Sequence, residues 1–166
     1  MFRRDSDGEY RDLRQIGAEY VGGTDLYPEC EIAVLAVKTL GFLGGDCVLA
    51  VGNMDAAEAF IKPLGLSDDD LVKTLVYIRQ KAFHELKKLL KDAGADAGNA
   101  EKLLALAAVE GEPKAALDAV APIVKGNAEA EKAIGELKEL TDALIGCGYA
   151  DKIRLDFSLI DDFRYY

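Results

Sequence analysis

A long stretch of helix-forming composition lies between two strand-forming segments, and this order constrains the fold more than any other feature. Between residues 67 and 148 the chain is rich in Leu, Ala, Glu and Lys and has no convincing strand pattern. The segments on either side alternate apolar and polar residues or form short apolar runs between turn residues, which is typical of strands. This order predicts an α+β fold in which a helical subdomain is inserted into a mixed sheet.

The first strand-forming segment has the pattern of a β-hairpin. Two β-favouring arms, residues 1–5 and 11–21, flank a short polar loop that holds Asp7-Gly8, and this dipeptide is a strong hairpin signal. One side of the second arm is apolar, and the other presents a polar row: Arg11, Gln15, Gly17 and Glu19. Residues two apart on a strand share a face and lie about 7 Å apart. An amide, a carboxylate and guanidinium groups on one face are suited to a small zwitterion or a phosphate.

Capping residues, breakers and apolar spacing place the remaining elements. A helix capped by Thr24 or Asp25 is expected to end near Gly41. Ser67, which three aspartates follow, begins a helix whose apolar seam runs at steps of three and four to Leu89. The other expected elements are a strand at 46–52, a helix at 54–62, a loop at 94–99, helices at 100–109, 113–124 and 128–145, a strand at 152–160 and the start of another at 163.

Composition and charge argue against several classes of function. The 166 residues are half apolar and carry a net charge of −10, which argues against a general nucleic-acid surface because phosphate binding needs clustered Lys and Arg. The longest apolar runs are far too short to span a bilayer. The chain has a single His and three widely spaced cysteines, Cys30, Cys47 and Cys147. We therefore expect no metal site, and we interpret the thiols as reduced cytosolic cysteines that act as small hydrophobes.

The two ends of the chain have the same strand-like character. It opens directly in a strand-like segment without the pattern of a secretory signal, and it stops within another at Tyr165-Tyr166. We therefore expect a fragment or truncated product, whose sheet edges are unpaired or paired with another copy.

Two motifs relate the chain to a known family. At the start, Phe-Arg-Arg-acid, a short polar loop, Tyr-Arg and then Gln-Ile-Gly-x-Glu resembles the second signature motif of class II aminoacyl-tRNA synthetases in their histidyl form. At the end, residues 159–166 match the place of the Arg-Gly-Leu-Asp-Tyr-Tyr motif with which that family handles histidine. The tyrosine pair, the preceding Leu-Asp-Phe-Ser-Leu strand and the intervening Leu/Ala/Glu-rich insertion also fit. The resemblance therefore covers the whole chain.

The closing motif departs from the synthetase pattern where the chemistry takes place. In the synthetase, the arginine of this motif stabilises charge on the carboxylate and α-phosphate during adenylation. The aligned residue here is Asp161, an acid that opposes the same charge. The next Gly is replaced by Asp162, the family's Asp by Arg164, and the hairpin loop is shorter than usual. In these respects the chain resembles the regulatory subunit of ATP phosphoribosyltransferase, a histidyl-tRNA synthetase paralogue without the tRNA-binding domain.

The resemblance implies a histidine-binding role for residues of both motifs. Gln15 matches the glutamine that meets the α-amino group of histidine, and Glu19 matches the acid that accepts from the imidazole ring. Tyr166 matches the phenol on the other ring nitrogen, with Tyr165 beside it. Tyr165 and Tyr166 alternate faces, so one is expected in the core and one in the site. Gln15 and Glu19 have a simpler interpretation as solvated polar residues on an exposed sheet face.

Two further residues of the first motif match positions that meet the nucleotide. Arg3 matches the arginine that faces ATP phosphate, and Asp5 stands where a Glu usually meets the adenine. Without adenylation their ligand is undefined, and the alternative is a surface ion pair of little energetic consequence.

The resemblance also implies an assembly and an architecture. Such a subunit assembles with short-form catalytic subunits of ATP phosphoribosyltransferase, is required for their activity and transmits feedback inhibition by free histidine. It has no catalytic residue, cofactor, metal, membrane or nucleic-acid partner, self-associates through its synthetase-like core and is cytoplasmic. The implied fold is part of an antiparallel class II sheet with flanking helices. Its expected divisions are a first core part at 1–66, an inserted helical subdomain at 67–148 and returning core strands at 149–166.

Two other interpretations stay open. One is a catalytic-domain fragment of a histidyl-tRNA synthetase, which would activate histidine with ATP. The other is an inert structural fragment, because the dimer-forming first motif and the ATP-binding third motif of the synthetase family have no counterpart in these residues.

Overall fold

The computed structural model describes residues 2–4, 10–12, 17, 21–22, 25–44 and 46–160. Strands lie at both ends of this range, and helices dominate its middle. The elements are β1 (Phe2–Arg4), β2 (Tyr10–Asp12), α1 (Leu26–Leu43), β3 (Leu49–Val51), α2 (Met54–Ile61), α3 (Asp68–Arg79), α4 (Phe83–Asp92), α5 (Ala97–Ala107), β4 (Glu110–Gly111), α6 (Pro113–Val124), α7 (Ala128–Gly146) and β5 (Ile153–Asp156).

The five described strands form two small sheets. Strands β1 and β2 pair antiparallel with Phe2 opposite Asp12, which confirms the predicted hairpin pairing over these residues. The second sheet has the order β3-β5-β4. Its β4–β5 pair is antiparallel, whereas β3 and β5 run parallel with Leu49 opposite Ile153.

The α+β class is therefore confirmed, with one correction to the sheet. The mixed sheet predicted from the order of the segments is confirmed, because β3 and β5 are parallel while β4 and β5 are antiparallel. The antiparallel sheet implied by the resemblance does not describe these three strands. Parallel neighbours require a long crossover connection. The connection from β3 to β5 contains the α-helices α2 to α7 and the short strand β4. It is long enough for β5 to run in the same direction as β3.

The main apolar core lies among the helices and on one face of β5. Its fully buried side chains include Phe60 of α2, Leu103 and Leu106 of α5, and Val120 of α6. Leu155 in β5 belongs to the same cluster. This core attaches the sheet to the helices through the strand that precedes the closing motif.

Two asparagines cap α2 and α7 and also tie these helices together. Asn53 accepts the Ala56 N–H at 2.9 Å and donates from its amide to the carbonyl of Ala133 in α7 at 3.5 Å. Asn127 accepts the Ala130 N–H at 3.2 Å and donates to the carbonyl of Ala59 in α2 at 3.1 Å. Each helix N-terminus is thus satisfied by a side chain that also bonds the other helix.

The helix boundaries differ from the prediction most clearly at two places. The apolar seam predicted one helix from Ser67 to Leu89, but α3 ends at Arg79 and α4 begins at Phe83. Lys81 between them has a left-handed φ of 54°, which no helix can continue. Residues 97–99, expected as a loop, form the first turn of α5 because Asp96 caps it. In the part of the chain that the structure covers, no helix is long and apolar enough to cross a membrane.

Candidate functional site

The residues expected to bind histidine and nucleotide lie almost entirely outside the described residues. Arg3 lies in β1, with its Cα opposite that of Arg11. The others fall outside the described ranges: Asp5, Gln15, Glu19, Asp161, Tyr165 and Tyr166. What the structure defines is the scaffold that leads into the closing motif from β5.

A side-chain-supported turn ends β5 and directs the chain toward residue 161. The Asp156 carboxylate accepts the Ser158 N–H at 2.8 Å and the Ser158 hydroxyl at 2.6 Å. The Leu159 N–H donates to the Asp156 carbonyl at 3.2 Å, and the Phe157 N–H donates to the carbonyl of Val109 at 3.1 Å. Asp and Ser side chains commonly stabilise turns through such local bonds. The turn therefore fixes where the closing motif begins.

Lys81 connects this turn to the helices. Its ammonium group lies 3.1 Å from the Asp156 carboxylate and also contacts the Glu110 carboxylate of β4. The link between α3 and α4, strand β4 and strand β5 thus meet at one cation. The Lys81 side chain is 41% exposed and that of Asp156 18% exposed, so the pair lies at the protein surface with its acid partly covered.

The pKa values of this pair move in opposite directions. Burial alone would raise the pKa of Asp156, but hydrogen bonds from the Ser158 hydroxyl and N–H, and then Lys81, outweigh it and lower that pKa. The hydrogen bond to Glu110 is the main reason that the pKa of Lys81 is raised. Both shifts favour the charged forms, so the contact is an ion pair at neutral pH.

Gly52 allows the turn to lie directly against the end of β3. A Cβ atom at this position would meet the Leu159 carbonyl oxygen at 2.6 Å and the Leu159 Cβ at 2.9 Å. The Asp156 carbonyl would lie 3.1 Å away. Only glycine permits this approach, so β3 supports the turn through its backbone.

An open cleft borders the turn on the side of α3. It has a volume of about 490 Å³ and is lined by Arg79, Ser158, Leu159 and Ile160. The cleft places a guanidinium group and the backbone of residues 158–160 around one opening immediately before residue 161. Such a surface can meet a polar ligand, but no group of three or more His, Cys, Asp and Glu side chains within the described ranges could hold a metal ion.

The three cysteines carry no disulfide. Burial is the main reason that the pKa of the Cys30 thiol is raised, and the nearby Cys147 adds to it. A raised pKa keeps this thiol protonated at neutral pH.

Four residues of this scaffold were not among the predicted site residues: Asp156, Ser158, Lys81 and Gly52. The Asp-x-Ser spacing is a local turn signal that could have found the first two. Nothing near Lys81 or Gly52 in the sequence indicates their partners, because Glu110, Asp156 and Leu159 come close only in the fold.

Comparison with known proteins places the chain in one family along its whole length. The family model described as histidyl-tRNA synthetase matches residues 1–166. Histidine–tRNA ligase of Pyrococcus horikoshii is 31% identical over 170 residues, which cover 100% of this chain and 39% of that protein. The ATP phosphoribosyltransferase regulatory subunit of Thioalkalivibrio sulfidiphilus is 28% identical and is matched over 99% of this chain and 42% of that protein. The chain thus spans about two fifths of the length of these curated relatives.

Solved structures agree on the fold. An ATP phosphoribosyltransferase regulatory subunit/histidyl-tRNA synthetase from Bacillus halodurans superposes with a TM-score of 0.73 at 16% identity, covering 87% of this chain and 38% of that one. Histidyl-tRNA synthetase from Nostoc superposes with a TM-score of 0.68 at 15% identity, covering 82% and 34%. At these identities the likeness concerns the fold alone, and the relatives include both the ligase and the regulatory subunit. The chain belongs to the histidyl-tRNA synthetase family.

Proposed function

We propose that the protein is a non-catalytic, histidine-responsive regulatory subunit of ATP phosphoribosyltransferase. The observation that carries this proposal is Asp161, which stands where the synthetase motif has its arginine. Adenylation builds negative charge at the carboxylate and α-phosphate, and catalysis requires cations or donors aimed at that charge. A carboxylate at the same place raises the energy of the transition state, so amino-acid activation is disfavoured while amino-acid binding is not.

Histidine recognition in this proposal uses residues of the opening hairpin and the closing motif. Gln15 receives the α-amino group, Glu19 accepts from the imidazole, and Tyr166 or Tyr165 meets the other ring nitrogen. The Asp156 turn and Gly52 supply the scaffold from which the closing motif departs. Preorganised support of this kind keeps a binding residue in its productive position.

The same proposed role also implies a division into domains, a role for Arg3 and Asp5, and an assembly. Residues 1–66 and 149–166 form the synthetase-like core, and residues 67–148 form the inserted helical subdomain. Arg3 faces a nucleotide phosphate and Asp5 the adenine, or the two residues form a surface ion pair. The subunit assembles with the short catalytic subunit, self-associates through its core and works in the cytoplasm, where histidine biosynthesis takes place.

A histidyl-tRNA synthetase is the second candidate. It is favoured by one observation, the 31% identity to the ligase of Pyrococcus horikoshii. This candidate would use the same histidine-binding residues but would also form histidyl-adenylate, in spite of Asp161.

Two activity assays on the full polypeptide separate the candidates. Mixed with a short-form catalytic subunit, the protein is expected to switch on phosphoribosyl-ATP formation and to make that activity fall when histidine is added. It is also expected to give no histidine-dependent exchange of pyrophosphate with ATP. Exchange without any stimulation of the catalytic subunit would contradict the proposal and identify a synthetase.

A matched pair of variants tests the histidine site itself. Glu19→Gln removes the charged acceptor and is expected to weaken histidine binding by about tenfold to a hundredfold, since a hydrogen bond to a charged group is worth about 1.5–3 kcal/mol. Glu31→Gln, at an exposed position of α1, is the control and should bind histidine like the wild type. Calorimetry measures both, and equal affinities would exclude Glu19 from the site.

A further inference from the structure

The open cleft beside the turn after β5 has a single charged side chain among the described residues that line it. Arg79, in the last turn of α3, borders the cleft together with Ser158, Leu159 and Ile160. The cleft lies immediately before Asp161, because consecutive Cα atoms are only about 3.8 Å apart. On a protein with a net charge of −10, an arginine on the rim of a cleft favours an anionic ligand.

The backbone donors that border this cleft are already used within the turn. The Ser158 N–H donates to the Asp156 carboxylate at 2.8 Å, and the Leu159 N–H donates to the Asp156 carbonyl at 3.2 Å. The Ile160 N–H donates to the Ser158 carbonyl at 3.0 Å, and the Ser158 hydroxyl donates to the Asp156 carboxylate at 2.6 Å. Of the described groups that line the cleft, the Arg79 guanidinium therefore supplies the donors that a ligand can use.

Arg79 and Lys81 differ in how much of their hydrogen-bonding capacity the fold uses. Lys81 contacts the carboxylates of both Glu110 and Asp156, so two acids compensate its charge. Arg79 also has an interaction within the protein. A guanidinium has five N–H donors in a planar fork, so it can keep that interaction and still bind both oxygens of a carboxylate. The helix dipole accounts for a cation at this end of α3, but it does not account for the position of that cation on the rim of a cleft.

The proposed ligand has a carboxylate for which the proposed site supplies no cation. In the proposed function, Gln15 receives the α-amino group of histidine, while Glu19 and the tyrosine pair contact the imidazole. Asp161 and Asp162, which follow the cleft directly, are acids and would repel a carboxylate. An ionised carboxylate that leaves water needs a cation or hydrogen-bond donors to replace its hydration.

We infer that Arg79 binds the carboxylate of histidine at this cleft. The inference rests on the proposed function, which supplies the ligand. A guanidinium holds a carboxylate through two parallel N–H···O bonds, which fix the orientation of the ligand as well as its charge. Arg79 belongs to α3, in the segment predicted to form the inserted helical subdomain. Bound histidine thus contacts this subdomain as well as the opening and closing motifs.

The affinities of the full polypeptide for L-histidine and L-histidinol test the inference. L-Histidinol keeps the imidazole and the α-amino group but has a hydroxymethyl group in place of the carboxylate. Calorimetry on the wild type should show that histidine binds at least about tenfold more tightly than histidinol, because only histidine makes the charged contact. Arg79→Met should weaken histidine binding by about tenfold to a hundredfold and histidinol binding by less than about threefold.

Two further variants identify the cause of the loss. Lys73→Met removes one positive charge from an exposed position of the same helix, where Lys73 pairs with Asp70, and should leave both affinities unchanged. Arg79→Lys keeps the charge without the planar fork, so its ratio of histidine affinity to histidinol affinity should lie between those of the wild type and Arg79→Met. A folding defect lowers both affinities by the same factor, so a change in this ratio reports the carboxylate contact.

The outcomes separate this contact from the proposed function. If the wild type binds histidine, but Arg79→Met leaves the ratio of the two affinities unchanged, the carboxylate contact is wrong while the proposed function stands. In an Asp161→Asn background, Arg79→Met should still lower the ratio. No further fall there would mean that Arg79 acts only by compensating the charge of Asp161, and this result would overturn the inference. If the wild type binds no histidine, the histidine-responsive function fails and the contact fails with it.

Discussion

The two apolar clusters of this protein differ in what they hold together. The main cluster contains side chains from every helix from α2 through α7, together with Leu155 of β5 and Phe157 directly after that strand. The second cluster consists of Ala33 in α1, Leu140 and Leu144 in α7, and Ile153 at the start of β5. It is small, and beside it α1 and β3 line an open groove of about 450 Å³. The helical region is thus a consolidated core, whereas α1 and β3 are attached to it through few buried side chains.

This difference bears on the proposed function. Most buried apolar side chains belong to the helices. The strand ends near the proposed ligand site are held by one face of β5, by the close packing of Gly52 against Leu159, and by the ion pair between Lys81 and Asp156. Regions with fewer buried apolar contacts open at lower free energy than the core. Under the proposed function, a ligand bound at such strand ends could shift them without unfolding the helices that support them.

The largest expected effect comes from cutting one leucine in each cluster. Leu103→Ala removes a side chain that is 0% exposed in the main cluster, and Leu140→Ala removes one that is 8% exposed in the second. We expect the free energy of unfolding to fall by about 3–4 kcal/mol for Leu103→Ala and by about 2 kcal/mol for Leu140→Ala, since the penalty grows with the cavity that cannot collapse.

Urea denaturation of both variants measures this contrast. The open groove beside the second cluster should let side chains relax into the space left by Leu140. Equal losses in the two variants would show that the second cluster is packed as tightly as the first, and the comparison would no longer hold.

A smaller effect is expected from adding one methyl group where β3 meets the turn. Gly52→Ala forces its Cβ against the Leu159 carbonyl and should lower the free energy of unfolding by about 1–3 kcal/mol, the usual cost of overpacking. Gly135→Ala in α7 is the matched control, because a Cβ there meets nothing within 4 Å. The control should gain about 0.5–1 kcal/mol, since alanine favours the helix. Thermal unfolding compares the two, and a neutral Gly52→Ala would mean that the turn moves freely against β3.

The sequence predicts the helical region well because its signals are local. The helix expected at 113–124 is observed as Pro113–Val124, where a proline opens the helix and Gly126 follows its end. The helix expected at 128–145 begins at Ala128, where Asn127 caps it. Caps, breakers and apolar spacing act within a few residues, so they can be recognised without a fold.

The remaining features depend on residues that are distant in sequence. The parallel pairing of β3 with β5 and the short strand β4 follow from how the helices return the chain to the sheet. The break at Lys81 is a left-handed lysine whose side chain contacts Glu110 and Asp156, and no local preference indicates it. For the site, the sequence alone identifies the family motifs, and the Asp156 turn that leads into the second of them is visible as an Asp-x-Ser pattern.

The smallest expected effect concerns the Lys81–Asp156 ion pair, which joins the link between α3 and α4 to the turn after β5. This effect depends on pH. The folded-state pKa of Asp156 lies below its ordinary value of 3.8, because the Ser158 and Lys81 hydrogen bonds outweigh the effect of burial. Such a group binds its proton less readily in the folded state than in the unfolded chain. Its contribution to stability is therefore fully present above that ordinary value and is lost as the pH falls through the folded pKa.

Asp156→Asn removes this dependence while keeping the shape of the side chain. At neutral pH we expect a loss of at most about 1 kcal/mol, in the range of ion pairs near a protein surface. In acid the wild type should lose this advantage, so the two unfolding free energies should converge as the pH is lowered through the folded pKa. Lys81→Met should reproduce the loss at neutral pH, because the same cation is removed from the other side. Denaturant unfolding at a series of pH values tests this expectation. A constant difference between Asp156→Asn and the wild type at every pH would contradict the lowered pKa of Asp156. An unchanged stability of Lys81→Met at neutral pH would show that Lys81 does not couple the helices to the turn.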